Sequence, residues 1–217
     1  MTVHVSVVLD RSGSMASIAD DMVGGFNEFL ARQRTIEGEA RVTLVQFDGE
    51  DPFEVLIDGV PLREVIDLDR ARYVPRGTTP LYDAIGRMIG RNDADIARRH
   101  DFGAAEEDQV VVIVTDGQEN ASGEHTRASV FDMVTERQDR GWVFVFLGAD
   151  QDSYAEGGHV GVAAGHRVGW EKTPDGSSKL WRDVSHSTEA YRRKDRQQRR
   201  SDSGNFYEED PDGDSRR

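Results

Sequence analysis

The run Val110-Val111-Val112-Ile113-Val114, closed by Thr115-Asp116-Gly117, decides how this chain of 217 residues folds. Five β-branched residues in a row favour a strand, because branching at Cβ suits the pleated backbone. The run does not alternate apolar with polar, so both faces of the strand must be covered. That is the pattern of a central strand in an α/β sheet. The abrupt change to Thr-Asp-Gly then sets a carboxylate at the strand's carboxyl end.

Working outward, Val3-His4-Val5-Ser6-Val7-Val8-Leu9 reads as another buried strand, followed by the turn Asp10-Arg11-Ser12-Gly13-Ser14. A helix is expected from Met15 to Arg34, with Ile18, Met22, Phe26, Phe29 and Leu30 at helical spacing. Val42–Phe47 and Phe53–Ile57 are strands two and three. Their linker, Asp48 to Pro52, is too short for a parallel crossover, which takes about a dozen residues. Strand three should therefore run antiparallel at an edge. Pro80 suits the first position of a helix whose apolar face is Leu81, Ile85, Met88, Ile89 and Ile96. A helix over Arg127–Arg140, with Val130, Met133 and Val134 inward, precedes strand five, Val143–Leu147.

Further on, the sequence predicts a short helix over Gln151–Gly157 and an edge strand over Arg167–Thr173. A turn at Pro174-Asp175-Gly176 and a helix from Lys179 to Arg193, with Leu180, Val184, Ser187 and Tyr191 on one side, complete it. The expected fold is α/β: a Rossmann-like, open, mostly parallel sheet of order 3-2-1-4-5-6, with helices on both faces. One domain spans residues 1–194, with its core in 1–150 and an extension over 151–194. Residues 195–217 are charged and poor in apolar side chains, and are expected to be disordered. The run Arg192–Arg200 holds six basic residues and one acidic, and reads as a solvated helix end.

Composition narrows the function. Hydrophobic residues make up 36% and charged residues 31%, a polar but globular balance. Net charge is 27 − 41 = −14, which disfavours a nucleic-acid-binding body. The absence of cysteine excludes disulfides, thiol nucleophiles and thiolate metal sites. No stretch is apolar enough over a bilayer's width, so no membrane span is expected. The first apolar run is short and lacks a basic leader, so a cytoplasmic location is expected.

Three polar segments stand at the ends of elements: Asp10-Arg11-Ser12-Gly13-Ser14, Gly77-Thr78-Thr79-Pro80-Leu81 and Thr115-Asp116-Gly117. In open α/β sheets, ligands bind in the crevice outside the strands' carboxyl ends, where the winding reverses. Two carboxylates and several hydroxyls should meet there. Asp-x-Ser-x-Ser, a later Thr before a helix and a later Asp after an apolar strand resemble the metal-ion-dependent adhesion site of von Willebrand factor A (vWA) domains. Gly24-Gly25-Phe26-Asn27-Glu28-Phe29 and Phe146-Leu147-Gly148-Ala149-Asp150-Gln151-Asp152 look like those of short, stand-alone vWA proteins of bacteria and phages.

The resemblance implies a divalent cation held by Ser12, Ser14 and Thr79, with Asp10 and Asp116 acting through bound water. Thr79 is chosen over Thr78 because Thr-Pro-Leu-x-x-Ala is the family pattern and Ala84 stands five residues on. The resemblance also implies an open coordination position for a partner protein's Asp or Glu. Mg²⁺ is the expected ion, with Mn²⁺ and Ca²⁺ as alternatives. It further implies work beside AAA-type ATPases or in stress and conflict systems. The extra calcium site of some integrin domains needs acids where Ser17 and Ile18 stand, so one metal site is expected.

The remaining polar residues receive plainer readings. Glu119 is expected to be a solvated rim residue. Asp83 suits a first helix turn, where negative charge meets the helix dipole. His4 is read as structural, and His159 and His166 lack zinc-ligand spacing. No Gly-x-Ser-x-Gly, His-Glu-x-x-His or Walker motif occurs, so binding is expected rather than catalysis, the alternatives being a metal-dependent hydrolase or phosphotransfer enzyme and a scaffold domain whose metal is purely structural.

Overall fold

A computed structural model describes residues 2–201 and 206–207. Six strands form one sheet of order β3-β2-β1-β4-β5-β6, as expected. They are β1 (Thr2–Asp10), β2 (Ala40–Phe47), β3 (Glu54–Pro61), β4 (Glu107–Thr115), β5 (Val143–Gly148) and β6 (Arg167–Gly169). β3 pairs antiparallel with β2, and every other pair is parallel.

The apolar strands face two ways, and each face finds its own helices. Val3, Val5, Val7 and Leu9 of β1 and Val110, Val112 and Val114 of β4 join a cluster with α1 (Ala19–Arg34) and α5 (Pro174–Arg193). Val8, Val111, Ile113, Phe144 and Phe146 join the opposite cluster with α2 (Leu81–Asp101) and α3 (Arg127–Asp139). This is why β4 shows no alternation. At roughly 1.5–3 kcal/mol for each large side chain removed from water, the two layers supply the main drive to fold.

α1 and α5 touch over aromatic rings. Phe26 meets Trp181 edge to face at 5.8 Å. A Cβ at Gly25 would lie 2.0 Å from Trp181 Cδ1, so glycine there allows the close approach.

Several local expectations are corrected. Residues Gly13–Ile18 form a 3-10 turn, and the α-helix begins only at Ala19. Pro174-Asp175-Gly176 is no separate turn. Thr173 Oγ1 accepts from Gly176 N and Pro174 takes the first position, so the segment starts α5. On that helix Ser185 and Thr188 are buried rather than Ser187. Ile96 lies on the exposed side of α2 at 37%.

The disorder expected from Asp195 does not hold for the described part of that segment. α6 (Arg196–Ser201) is helical, and Arg199 donates from Nη1 to Asp108 Oδ2 at 2.6 Å and from Nη2 to Arg192 O at 2.7 Å. Arg192 itself donates to Gln33 O at 2.7 Å. The basic run is therefore partly buried, because its guanidinium groups meet carbonyls and carboxylates of the domain. Phe206 packs on Tyr191 and His166. Residues 202–205 and 208–217 lie outside the described residues.

Candidate metal centre

β1 and β4 are neighbours, with Leu9 opposite Val114, so Asp10 and Thr115 emerge side by side at the carboxyl edge. Thr115 Oγ1 donates to Asp10 Oδ2 at 2.6 Å, and Ser12 N donates to Asp10 Oδ1 at 2.6 Å. The Asp10 side chain is fully buried. Burial pushes its carboxyl up to about 6, against the hydrogen bonds from Thr115 and Ser12, while the nearby Asp116 charge adds to the rise.

The next residues continue the cluster. Ser12 Oγ and Ser14 Oγ lie 3.1 Å apart, and Ser14 Oγ donates to Asp116 Oδ1 at 2.7 Å. The second loop is tied to the first through Gly13 N to Gly77 O and Arg76 N to Arg11 O. Gly77 takes φ +65, a conformation that favours glycine. The third loop is tied to the second by Asn120 N to Thr79 O and Thr79 N to Asn120 Oδ1. Thr79 is buried and Thr78 exposed. A Cβ built on Gly117 would lie 3.4 Å from Thr79 Oγ1, which puts that hydroxyl beside the turn carrying Asp116. Asp10, Ser12, Ser14, Thr79 and Asp116 thus come together from three distant stretches of chain.

The donor set is suited to a hard cation. All the side-chain donors are oxygens, the chemistry that Mg²⁺, Ca²⁺ and Mn²⁺ select. Cis ligands of an octahedron with bonds of about 2.1 Å stand about 3 Å apart. Ser12 Oγ and Ser14 Oγ, 3.1 Å apart, match that spacing, and Ser14 Oγ ties Asp116 Oδ1 to them at 2.7 Å. The buried Asp116 Oδ2 makes no directed hydrogen bond. What meets it is the Lys172 ammonium, at 2.6 Å.

Among solved structures, a von Willebrand factor type A protein from Catenulispora acidiphila superimposes over 87% of this chain with a TM-score of 0.56 and 16% identity. The chain has a vWA-type fold. The pilus adhesin SpaC from Lactobacillus rhamnosus GG matches the same share of the chain at TM-score 0.64 and 12% identity. Proximal thread matrix protein 1 from the mussel byssus does so at 0.58 and 16%. The chain covers 43%, 30% and 46% of these three chains, less than half the length of each. No protein-family model matches the sequence, and no curated protein matches it.

Several residues that shape the vWA-like crevice carry no signal in the motif. Thr115 holds Asp10. Arg11, the variable position of Asp-x-Ser-x-Ser, is 4% exposed and donates from Nε to Asp48 Oδ2 and from Nη1 to Glu54 Oε2, both at 2.5 Å. Asp48 would be raised by burial, but the Asp51 and Glu50 N–H groups and Arg11 hold it below the usual carboxylate range. Tyr73 OH donates to Asp10 O. Lys172, fifty-six residues beyond Asp116, has no sequence cue at all.

Glu119 is not the solvated rim residue expected. Its Oε2 accepts from Tyr82 N at 2.9 Å, and its Oε1 from Ala121 N at 2.7 Å and Ser122 N at 2.6 Å. It caps the start of α2 and shapes the third loop. Asp83 does sit in the first turn of α2, and its carboxylate also accepts from Gly123, Glu124 and His125 N–H.

A second group of ligand-type side chains lies at the opposite edge of the sheet. His4, Asp95 and Glu107 bring ligand atoms within 4.8 Å of one another. Both carboxylates already meet Arg41 Nη1, at 3.0 and 2.8 Å, and Glu107 also meets Arg99 at 2.8 Å. His4 Nε2 is 2.8 Å from Thr43 Oγ1. Burial, then Arg41, lowers the His4 imidazole to about 4, so it is neutral at pH 7. The charge there is closed inside the chain.

Proposed function

We propose that this chain is a divalent-cation-dependent protein-binding module. Ser12, Ser14 and Thr79 would hold the ion directly, and Asp10 and Asp116 would act through bound water. The observation that carries this is the chain of contacts from Ser12 Oγ to Ser14 Oγ at 3.1 Å and from Ser14 Oγ to Asp116 Oδ1 at 2.7 Å, beside the buried Asp10. Bound there, the ion supplies a Lewis-acidic, under-neutralised positive charge at the surface. Hydroxyls carry no charge and so cannot balance it. A partner's Asp or Glu would complete the coordination.

The chain's own groups orient the site. Thr115 and Ser12 N–H fix the Asp10 carboxylate. Arg11, anchored on Asp48 and Glu54, holds the first loop toward β2 and β3. The backbone bonds among residues 11, 13, 76 and 77 keep two loops in register. Mg²⁺ is the ion proposed, Mn²⁺ or Ca²⁺ being alternatives. The role is binding and not catalysis, since both crevice carboxylates are engaged in positioning. A cytoplasmic setting, in a short stand-alone protein of bacterial or phage type acting beside AAA-type ATPases or stress systems, belongs to the same proposal. No described helix is long and apolar enough to cross a membrane.

The test has two arms. In thermal melts, saturating Mg²⁺ should add about 2–4 kcal/mol to the wild type and nothing to Asp116→Ala. Partner capture should be lost both with chelator and in Asp10→Ala. Equal melts with and without ion would overturn the cation site. Capture indifferent to chelator would overturn the binding role.

A further inference from the structure

We propose that Lys172 is an internal cation of the crevice, competing with the divalent ion for Asp116 and so setting the affinity of the site. The inference rests on the cation reading above. It concerns a residue outside the Asp-x-Ser-x-Ser, Thr and Asp pattern.

Geometry puts Lys172 there. Its Nζ stands 2.6 Å from Asp116 Oδ2, and the Asp116 side chain is fully buried. Asp116 Oδ1 is taken by Ser14, so the ammonium meets the oxygen left over. The other nearby cations are committed elsewhere: Arg11 to Asp48 and Glu54, Arg76 to Asp48 and Glu50. The lysine is also held in place by its backbone. Trp170 N donates to Gly148 O at 3.0 Å and its indole is buried. Three residues on, Thr173 caps α5 through Gly176 N at 3.0 Å. The stretch Glu171-Lys172 is thus pinned at both ends, and its ammonium is directed at the crevice.

The residue type fits the role. This chain uses arginine almost throughout: only Lys172, Lys179 and Lys194 are lysine among 27 basic residues. A guanidinium is a planar fork, whereas an ammonium is a compact point charge. A point charge suits a cradle of oxygens much as a metal ion does. The Lys172 side chain is 33% exposed, and a lysine stem has four rotatable carbons, so it can yield to a divalent ion. Ion binding then includes the loss of one ion pair, which lowers the apparent affinity. The freed ammonium moves out toward solvent.

Calorimetric titration of Mn²⁺ and Mg²⁺ into the wild type, Lys172→Gln and Lys172→Arg tests this. The Gln variant should bind roughly three- to tenfold tighter, the size of a partly exposed ion pair. The Arg variant should stay within about twofold of the wild type, within the scatter of exposed ion-pair effects. Amine acylation read by mass spectrometry gives a second readout. Saturating Mg²⁺ should raise labelling of Lys172 and leave Lys179 and Lys194 unchanged. Equal or weaker ion binding by Lys172→Gln, or Lys172 labelling indifferent to the ion, overturns the inference and leaves the metal centre standing. Absence of ion binding by both proteins overturns the metal centre and the inference together.

Discussion

Around the central strands β1 and β4, the two ends of the sheet treat carboxylates in opposite ways, whereas Asp48, just past β2, is paired with Arg11 and Arg76. At the amino edge, Glu107, Asp95 and Asp108 meet the guanidinium groups of Arg41, Arg99, Arg196 and Arg199. At the carboxyl edge, Asp10 and Asp116 meet hydroxyls, one backbone N–H and a single ammonium. Arginine neutralises a carboxylate and adds directed hydrogen bonds. A hydroxyl adds the hydrogen bond but leaves the charge. One edge is therefore electrostatically closed and serves stability, while the other keeps net negative charge in a buried place. A chain does that at a cost in stability, which is the physical reason for proposing the function at the carboxyl edge.

The largest expected effect tests the closed edge. Arg41→Met removes the cation that bridges Asp95 and Glu107, whose side chains are 14% and 3% exposed. Leaving these part-buried carboxylates with less compensation should cost about 3 kcal/mol, even with Arg99 still on Glu107 and Arg98 on Asp95. Urea denaturation at pH 7 measures it. Divalent-ion affinity should not move. A loss under about 1 kcal/mol would mean that the amino edge is not electrostatically closed in the sense drawn from Arg41.

Comparable in size is a pH effect of opposite sign at the two edges. His4 is lowered from 6.5 to about 4 in the fold, by burial and then Arg41. Between those values the unfolded chain binds the extra proton, so this group makes stability rise with pH. Asp10 is raised from 3.8 to about 6, chiefly by burial. Between those values the folded chain binds the extra proton, so this group makes stability fall with pH. Each contributes about 3 kcal/mol over its window, at 1.36 kcal/mol per unit. In chelator, Asp10→Asn should steepen the rise of stability from pH 4 to 6.5. His4→Gln should reverse it toward a fall. Identical pH profiles for the two variants would break the comparison.

Much of this was legible in the sequence, for physical reasons that differ by region. The sheet order and the antiparallel β3 follow from unbroken apolar runs and one short linker, which are local signals. That Asp10, Ser12, Ser14, Thr79 and Asp116 meet in one crevice was legible because each stands at the end of an element, where the sheet topology gathers them. Lys172 was not, nor was the bond from Thr115 to Asp10, since a partner for Asp116 or Asp10 depends on tertiary packing and not on spacing. The amino edge was missed for a related reason. Arg41, Asp95, Glu107 and Arg199 are charged residues scattered through the chain, and only the fold shows that they meet. The tail failed most plainly: composition reads Arg192 to Arg200 as solvated, yet Arg192 and Arg199 are 7% and 5% exposed. Composition counts charges, and it does not see the carbonyls and Asp108 that receive them.

The finest division lies within the carboxyl edge, between hydroxyls that would touch the ion and one that positions a carboxylate. Thr79→Val keeps the shape and both backbone bonds with Asn120. It should leave the melting temperature unchanged and weaken ion binding about tenfold, the loss of one weak neutral ligand worth about 1.4 kcal/mol. Thr115→Val should do the reverse. Its hydroxyl gives Asp10 Oδ2 a 2.6 Å hydrogen bond inside the protein, so its removal should cost about 1 kcal/mol of stability. Ion affinity should fall by less than for Thr79→Val, because Asp10 keeps its Ser12 N–H bond. Ion titration and urea melts on the same pair of variants separate the two roles. If both lose affinity alike with no loss of stability, Thr115 belongs with the ligands and the division drawn between the two threonines is wrong.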